Sequence, residues 1–585
     1  MTNEQVAARL EQIADLLKVE DENVFRIRSY ERAAEAIRGL GEDLHEIRAS
    51  EEGLQSISGV GEGIATIIAE FLDTGESAYR TELRKKYPEG FLELLKIPGL
   101  GPKRAALLYN ELGVGSVDDL EEACVREQVR EVDGMGEKSE RKLLEAIGRY
   151  WQGRERALLG EMLPRAEGMV AYLRGLDEVI NADYAGSARR GKETVGDLDL
   201  LASSRDPGAI CRQFAAAGIL QTVDLAGETK VSGTLAGGRQ VDLRVIEPGS
   251  WGAALVYFTG SQQHNIRLRE RGQARGLKVN EYGVFAEADD EDSLEGTRVA
   301  GDTEQSVYEA LDLAWIPPEL REDRGEIAAA EAGELPDLVE LEDIRSDLHL
   351  HSDHSDGRNS IAELAEAARE VGHTHIGITD HSASLHIAGG IGVEGIRAQR
   401  EEIDAINARY ADQGIDFRVL LGQEANILTD GGLDADEEIL ALVDYMIGAI
   451  HSGMSAHVDQ ITRRMVRAIE SGQVDMLSHP TGRILLHRDP YAVHISEVID
   501  AAVEHDVALE INSAPDRLDL SDAHARLAIE RGAKLTINTD AHAVANFGFM
   551  RFGVLTARRG WVEAKSVINT WPLADLLDWL GGRRT

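Results

Sequence analysis

The second half of the chain alternates short apolar runs with helical patterns, and no other feature of the 585 residues restricts the fold as much. Seven runs read as strands: 345–350, 375–380, 418–423, 446–450, 474–478, 508–512 and 534–539. Most lead into an amphipathic helical pattern, such as Ser360–Val371 or Val458–Ser471. Apolar strands that each feed a helix must be covered on both faces, which predicts a parallel α/β barrel with its chemistry at the C-terminal strand ends. His349, His351 and Asp356 fall there in DLHLHSDHSDG, His381 ends GITDH, and Glu424 sits in GQEAN. His451 ends IGAIH, His479 lies in LSHP, and Asp540 and His542 lie in NTDAH. One histidine at a strand end is ordinarily structural. Nine nitrogen and oxygen donors at one mouth predict a metal site, and mixed imidazole and carboxylate suit Mn or Zn. Arg483 and Arg488, beyond His479, are candidates to grip a substrate phosphate, with surface arginines the competing reading.

These motifs resemble the PHP (polymerase and histidinol phosphatase) domain, across the whole second half and with all nine ligand positions filled. The resemblance implies a distorted, TIM-like (β/α)7 barrel over 344–585 that holds up to three ions, Mn and/or Zn. Such ions activate water for attack on phosphorus and neutralise the leaving oxygen.

The first half turns on GSARRGKETVGDLDLL, Gly186–Leu201. Period-2 alternation puts Asp197 and Asp199 on one strand face and Leu198 and Leu200 on the other. Paired carboxylates repel, and a divalent cation between them relieves the repulsion. Upstream, Gly186, Ser187, Arg189, Arg190 and Gly191 offer amides, a hydroxyl and guanidinium forks suited to a polyphosphate. Together these predict a nucleotidyl-transfer site. In QVDLRVI, Asp242 shares a face with Gln240 and Arg244, and strand pairing makes it the third carboxylate, binding metal and accepting or orienting the primer hydroxyl's proton. Further upstream the form apolar-x-Gly-apolar-Gly occurs three times: Ile57–Gly61 (Gly59, Gly61), Ile97–Gly101 (Gly99, Gly101) and Val132–Gly136 (Gly134, Gly136). Each precedes a helical pattern, so exposed amides at a helix N-terminus would hold DNA phosphates without reading sequence.

With YFTGS and NEYG following in order, residues 1–320 resemble the family X DNA polymerases, the DNA polymerase beta-like repair group. That resemblance implies a multidomain chain. A small helical domain (1–90) and a fingers-like helix-hairpin-helix region (91–150) would precede an α+β nucleotidyltransferase palm (151–245) and a thumb (246–320). It implies two ions, Mg or Mn, on Asp197, Asp199 and Asp242, with Ser187, Arg190 and Gly196 at the triphosphate. Tyr257 and Phe258 would lie at the sugar, and Asn265 and Arg269 at the minor-groove side of the base pair. Two departures stand out. The family's animal members use a Schiff-base lysine in the helix after the first hairpin; Ile67 stands there and cannot form an imine, so little lyase activity is expected by that route, although Lys85 and Lys86 lie nearby. Gln240 stands where those enzymes have arginine. The charged stretch 321–343 reads as a linker to the barrel.

A net charge of -42 runs against nucleic-acid binding. Acidic, lysine-poor composition fits a protein dissolved in concentrated salt, where net charge is screened within about 3 Å at 1 M, and predicts a halophile. Two cysteines without a CxxC pair, and the lack of a signal or membrane-spanning run, predict a cytoplasmic protein with no membrane partner. The function expected is a monomeric repair enzyme acting on gapped or primer-template DNA. It would add dNTPs with one half and hydrolyse phosphoesters with the other, as 3′-5′ exonuclease, AP endonuclease or 3′-phosphatase. Two readings compete: a PHP phosphatase carrying an inactive, DNA-holding polymerase-like half, and a non-enzymatic scaffold.

Overall fold

Val6, Leu10, Ile13 and Leu17 recur at three- and four-residue intervals, and the helix Asn3–Val19 turns all four into a core. The computed structural model describes every residue except Thr2, Asp21, Glu51, Glu52, Glu89, Lys96, Pro98, Arg154, Glu155, 287–296, Arg584 and Thr585. Pro98 of the second glycine motif therefore lies outside the described residues. The chain divides into two compact units, Met1–Arg154 with Gly237–Arg239, and Glu155–Ala236 with Gln240–Thr585. No described helix is long and apolar enough to cross a membrane.

In the first unit every described element from Asn3 to Gly153 is helical. Residues 6–83 form one apolar cluster, and Val19 with residues 91–147 forms another. Side-chain caps at Asn23, Asp43, Ser77 and Ser116 satisfy orphan amides where these helices begin. Ile57, Ile97 and Val132, which open the three glycine motifs, are buried.

The second unit contains three principal sheets. The short strands β1 (Ala157–Leu158) and β3 (Thr194–Val195) pair with each other. Around them β2 (Val179–Tyr184), β4 (Leu198–Ser204), β5 (Thr222–Ala226), β6 (Lys230–Thr234) and β7 (Gln240–Ile246) form a sheet in the order β2-β4-β7-β6-β5. Only β4 and β7 run parallel in it, with Asp199 directly opposite Asp242. Val241, Leu243 and Val245 enter the core while Asp242 and Arg244 alternate with them, as period-2 spacing requires. A three-stranded antiparallel sheet follows, β10-β9-β8: β8 Leu277–Asn280, β9 Gly283–Ala286 and β10 Arg298–Ala300.

All seven expected barrel strands are present and parallel, in sequence order: β11 (Ser346–Leu350), β12 (His375–Ile378), β13 (Arg418–Asn426), β14 (Tyr445–Ala449), β15 (Met476–Leu477), β16 (Ala508–Asn512) and β17 (Leu535–Asn538). A bridge between Leu350 and Ala541, with the His351 amide donating to the Ala541 carbonyl at 2.9 Å, nearly closes the ring.

The first part of the stretch 321–343 is packed against the protein. Arg321, Glu322 and Glu326 are buried in it. Glu322 accepts from Arg190 Nε (2.9 Å) and Arg559 Nη1 (3.0 Å), and Arg559 and Arg324 both donate to Asp522. The Gly186–Gly191 loop, the connecting stretch and the barrel helix Met550–Arg559 thus share one buried ion-pair network. Burial works to raise the Glu322 pKa, but Arg559 and Arg190 hold it well below the usual carboxylate range. A depressed carboxylate stabilises the fold above its unfolded value and loses that contribution only as pH falls through the folded value. Glu322→Gln, which leaves two buried guanidinium groups short of an anion, is expected to cost about 3–5 kcal/mol at pH 7. Urea denaturation checks this: the gap from wild type should persist to pH 5 and narrow only in stronger acid.

Candidate active sites

The strand pair β4–β7 builds the first site. Leu198 and Leu200 are fully buried and fix the opposite face of β4, so Asp199 points away from the core. Asp197 precedes the strand and is exposed. Burial raises the Asp199 pKa to about 6, and the charges of Asp197 and Asp242 push in the same direction. Asp242 behaves oppposite to its neighbour. Burial would raise it, but hydrogen bonds from Lys230, Ser232 and Gln240 bring its pKa below the ordinary value. Lys230 Nζ lies 2.8 Å from Oδ2 and Gln240 Nε2 lies 3.2 Å from Oδ1. Gln240 therefore supplies a neutral donor at the position where the resemblance led to an arginine.

Gly186 has φ +61°, and a Cβ there would sit 2.4 Å from Asp199 Oδ2, so only glycine lets the loop approach the carboxylate. Ser187 is half-buried in the short helix Gly186–Arg189, and Gly196 is exposed. Arg190 is tied into the protein: besides Glu322 it donates to the Thr259 carbonyl at 2.7 Å. Arg189 is likewise committed, to Glu304 and Thr259. Tyr257 and Phe258 occupy the last turn of the helix Trp251–Thr259, edge to face at 5.0 Å, and Arg244 covers the Phe258 ring. Asn265 Nδ2 holds the carbonyls of Tyr257 and Gly260, while Arg269 is exposed.

The three glycine motifs adopt one conformation. Gly59, Gly99 and Gly134 have φ of +84°, +87° and +76°, which glycine tolerates freely. Gly61 and Gly101 cap the helices Glu62–Thr74 and Pro102–Leu112 without a side-chain hydrogen bond, and Gly136 precedes Glu137–Gly153. No atom approaches within 4 Å of a Cβ built at Gly61, Gly99, Gly101, Gly134 or Gly136, apart from the chain's own neighbours. Their amides are open to an anion. Ile67 packs in the N-terminal core, Lys85 pairs with Glu82, and Lys86 pairs with Glu20.

At the barrel mouth the nine donors converge. Three overlapping groups have ligand atoms mutually within 4.8 Å: His351, Asp356, His381 and His542; His349, His351 and Asp540; and His381, Glu424 and His451. His479 Nε2 completes the set, 3.1 Å from Glu424 Oε1. His349 Nε2, both His351 nitrogens, His381 Nδ1, His451 Nδ1 and Glu424 Oε2 are buried and make no hydrogen bond. Stranding so many polar atoms is costly unless something coordinates them. The donors fit divalent ions.

Two residues beyond the sequence motifs complete this site. Glu510, on β16, lies 2.8 Å from His349 Nδ1 and accepts from the His479 amide at 2.8 Å, orienting two of the candidate ligands. Arg517 Nε lies 3.8 Å from Asp540 Oδ2, with its side chain partly open to solvent. A lone charged residue inside the apolar run ALEIN was the available signal for Glu510; Arg517 had none. Arg483 and Arg488 are bound into the protein, Arg483 to Glu193 and the Arg517 and Leu518 carbonyls, Arg488 to the Gly482 carbonyl.

Residues 1–77 match a helix-hairpin-helix domain, 91–149 a SAM-like helix-hairpin-helix tandem, 254–322 the DNA polymerase beta thumb and 347–514 the PHP domain. The chain is 37% identical over 578 residues to the DNA polymerase/3′-5′ exonuclease PolX of Bacillus subtilis (strain 168), covering 98% of this chain and 99% of that one. A probable phosphatase of Aeromonas hydrophila is 33% identical over 175 residues, 28% of this chain and 68% of its own. The probable phosphatase YcdX of Escherichia coli O139:H28 is 28% identical over 213 residues, 34% of this chain and 80% of its own.

Because a carboxylate behind a ligating imidazole fixes its tautomer, Glu510→Gln is expected to weaken divalent-ion binding by roughly 10–100-fold. Calorimetric titration of the metal-stripped full chain reads this, and an unchanged affinity would remove Glu510 from the site.

Proposed function

The chain belongs to the family of the DNA polymerase/3′-5′ exonuclease PolX, and we propose that it fills short gaps by templated dNTP addition and trims 3′ ends at its PHP barrel. It is a DNA polymerase joined to a PHP phosphoesterase, and such chemistry depends on divalent metal ions. The proposal rests on one observation: two clusters of ligand atoms, each electrostatically unsatisfied alone, in one chain.

In the polymerase half, Asp197, Asp199 and Asp242 would hold two Mg or Mn ions. Asp242, which accepts from Lys230 and Gln240, would bind metal and accept the primer hydroxyl's proton or orient it. Ser187 and Gly196 face the triphosphate. Arg190, tied to Glu322 through Nε, also lies at the triphosphate. Tyr257 and Phe258 pack on the sugar, and Arg269 reaches the minor groove. Backbone amides at the exposed Gly61, Gly101 and Gly136, where the following helices begin, carry DNA phosphates, which lets a chain of net charge -42 bind DNA by direct contact. The boundaries 1–90, 91–150, 151–245, 246–320, 321–343 and 344–585 divide the work.

In the barrel, His349, His351, Asp356, His381, Glu424, His451, His479, Asp540 and His542 would hold up to three ions, Mn and/or Zn. These ions supply water activation and charge neutralisation at the leaving oxygen. Glu510 keeps His349 and His479 in register, and Arg517, beside Asp540, steadies the substrate phosphate. The enzyme works as a monomer in a salt-rich cytoplasm.

A 5′-labelled primer on gapped duplex separates the halves. Asp197→Ala should lose templated addition by at least about a thousandfold while shortening continues. Arg517→Ala should do the reverse, slowing shortening by roughly 100-fold with addition intact. Loss of both activities in either variant would contradict two independent sites.

A further inference from the structure

A cavity of about 330 Å³ opens among the segments that follow β13 and β14, lined among others by Thr429, Asp430, Gly453 and the helix residues Arg463, Arg464 and Arg467. Its size falls at the small end of the ~300–1,000 Å³ typical of ligand sites. The helix Val458–Glu470 presents the three arginines toward one place in a chain with 104 acidic and 62 basic residues. Among the described residues none of the three forms an ion pair. Arg464 is buried, and its guanidinium donates only to the carbonyls of Ile427 and Ser452 (2.6 Å to the latter). Arg463 donates to the Asp459 carbonyl and Arg467 to the Asp430 carbonyl. Asp430 is the one carboxylate in the lining, and its Oδ1 accepts from the Gly432 amide. A buried guanidinium hydrogen-bonded only to carbonyls, flanked by two more and faced by the single carboxylate of Asp430, leaves a net positive cavity that favours an anion.

Its position identifies the anion. Ile427 lies three residues beyond Glu424 on the same strand exit, and Ser452 directly follows His451. Arg464 thus pins together the two loops that leave the ligand cluster. Resting on the phosphoesterase reading of that cluster, we propose that the cavity is a phosphodiester subsite. It holds the backbone phosphate of the DNA strand next to the one being hydrolysed, through Arg463 and Arg467, with Arg464 supplying fixed charge. A single strand entering the barrel would be measured by two phosphates, one at the cluster and one in the cavity.

The test compares full-length wild type with the Arg463→Ala/Arg467→Ala and Arg463→Lys/Arg467→Lys double variants, all at exposed positions. Two substrates are used: a single-stranded oligonucleotide, and the p-nitrophenyl ester of thymidine 5′-monophosphate, which has no neighbouring phosphate. The alanine pair should raise KM for the oligonucleotide roughly tenfold with kcat unchanged. Ester turnover should stay within about twofold, and the lysine pair should restore most of the oligonucleotide KM. An unchanged oligonucleotide KM, or equal losses on both substrates, overturns the subsite. Relief of inhibition by free deoxynucleoside monophosphate, without a KM change, would assign the cavity to product and likewise overturn it. If wild type hydrolyses neither substrate, the phosphoesterase reading itself fails.

Discussion

Asp199 and Asp242 face each other on neighbouring parallel strands, and the backbone leaves them no way to separate. At the ~4.8 Å spacing of adjacent strands, two unit charges repel by on the order of 3 kcal/mol at an effective dielectric of 20. The protein answers this unequally: it stabilises the charge on Asp242 with Lys230 and Gln240 and leaves Asp199 protonatable near pH 6. A cation removes the conflict, and the loop carrying Gly186 is pressed against Asp199 as though to close the space around one. The barrel meets the same constraint with more partners. Its histidines and carboxylates are buried together, and several ring nitrogens lie against carboxylates without making a hydrogen bond.

Both clusters need a frame that resists this strain. In the barrel the frame is the ring of strands, with Asn538 Nδ2 donating to Glu510 and Glu510 lying 2.8 Å from His349 Nδ1 behind the ligands. In the palm it is a set of buried arginine–carboxylate pairs that reaches from Arg190 through Glu322 and Arg559 to Asp522. One network therefore ties the loop beside Asp199 to the helix Met550–Arg559.

What could be read from sequence followed from how local each signal was. The nine barrel donors sit in short motifs at strand ends, and the strand-helix rhythm alone brought them to one mouth. Three glycine hairpins were legible because their conformation is set within five residues. The tie between Arg190 and Glu322 was not, because the two lie 132 residues apart. Arg483 likewise looked available until Glu193 and two carbonyls took its donors. Arg517 became visible only when folding carried it to Asp540. Long-range polar pairing, not secondary structure, was the missing information.

Anomalous diffraction from crystals of the full chain soaked in Mn tests the central claim, that both clusters are built to be completed by divalent ions. Peaks are expected at two separate places, one among Asp197, Asp199 and Asp242 and one within the histidine cluster around His351 and Glu424. Clear density for the side chains with no peak at either place, or peaks only at surface carboxylates, would contradict it.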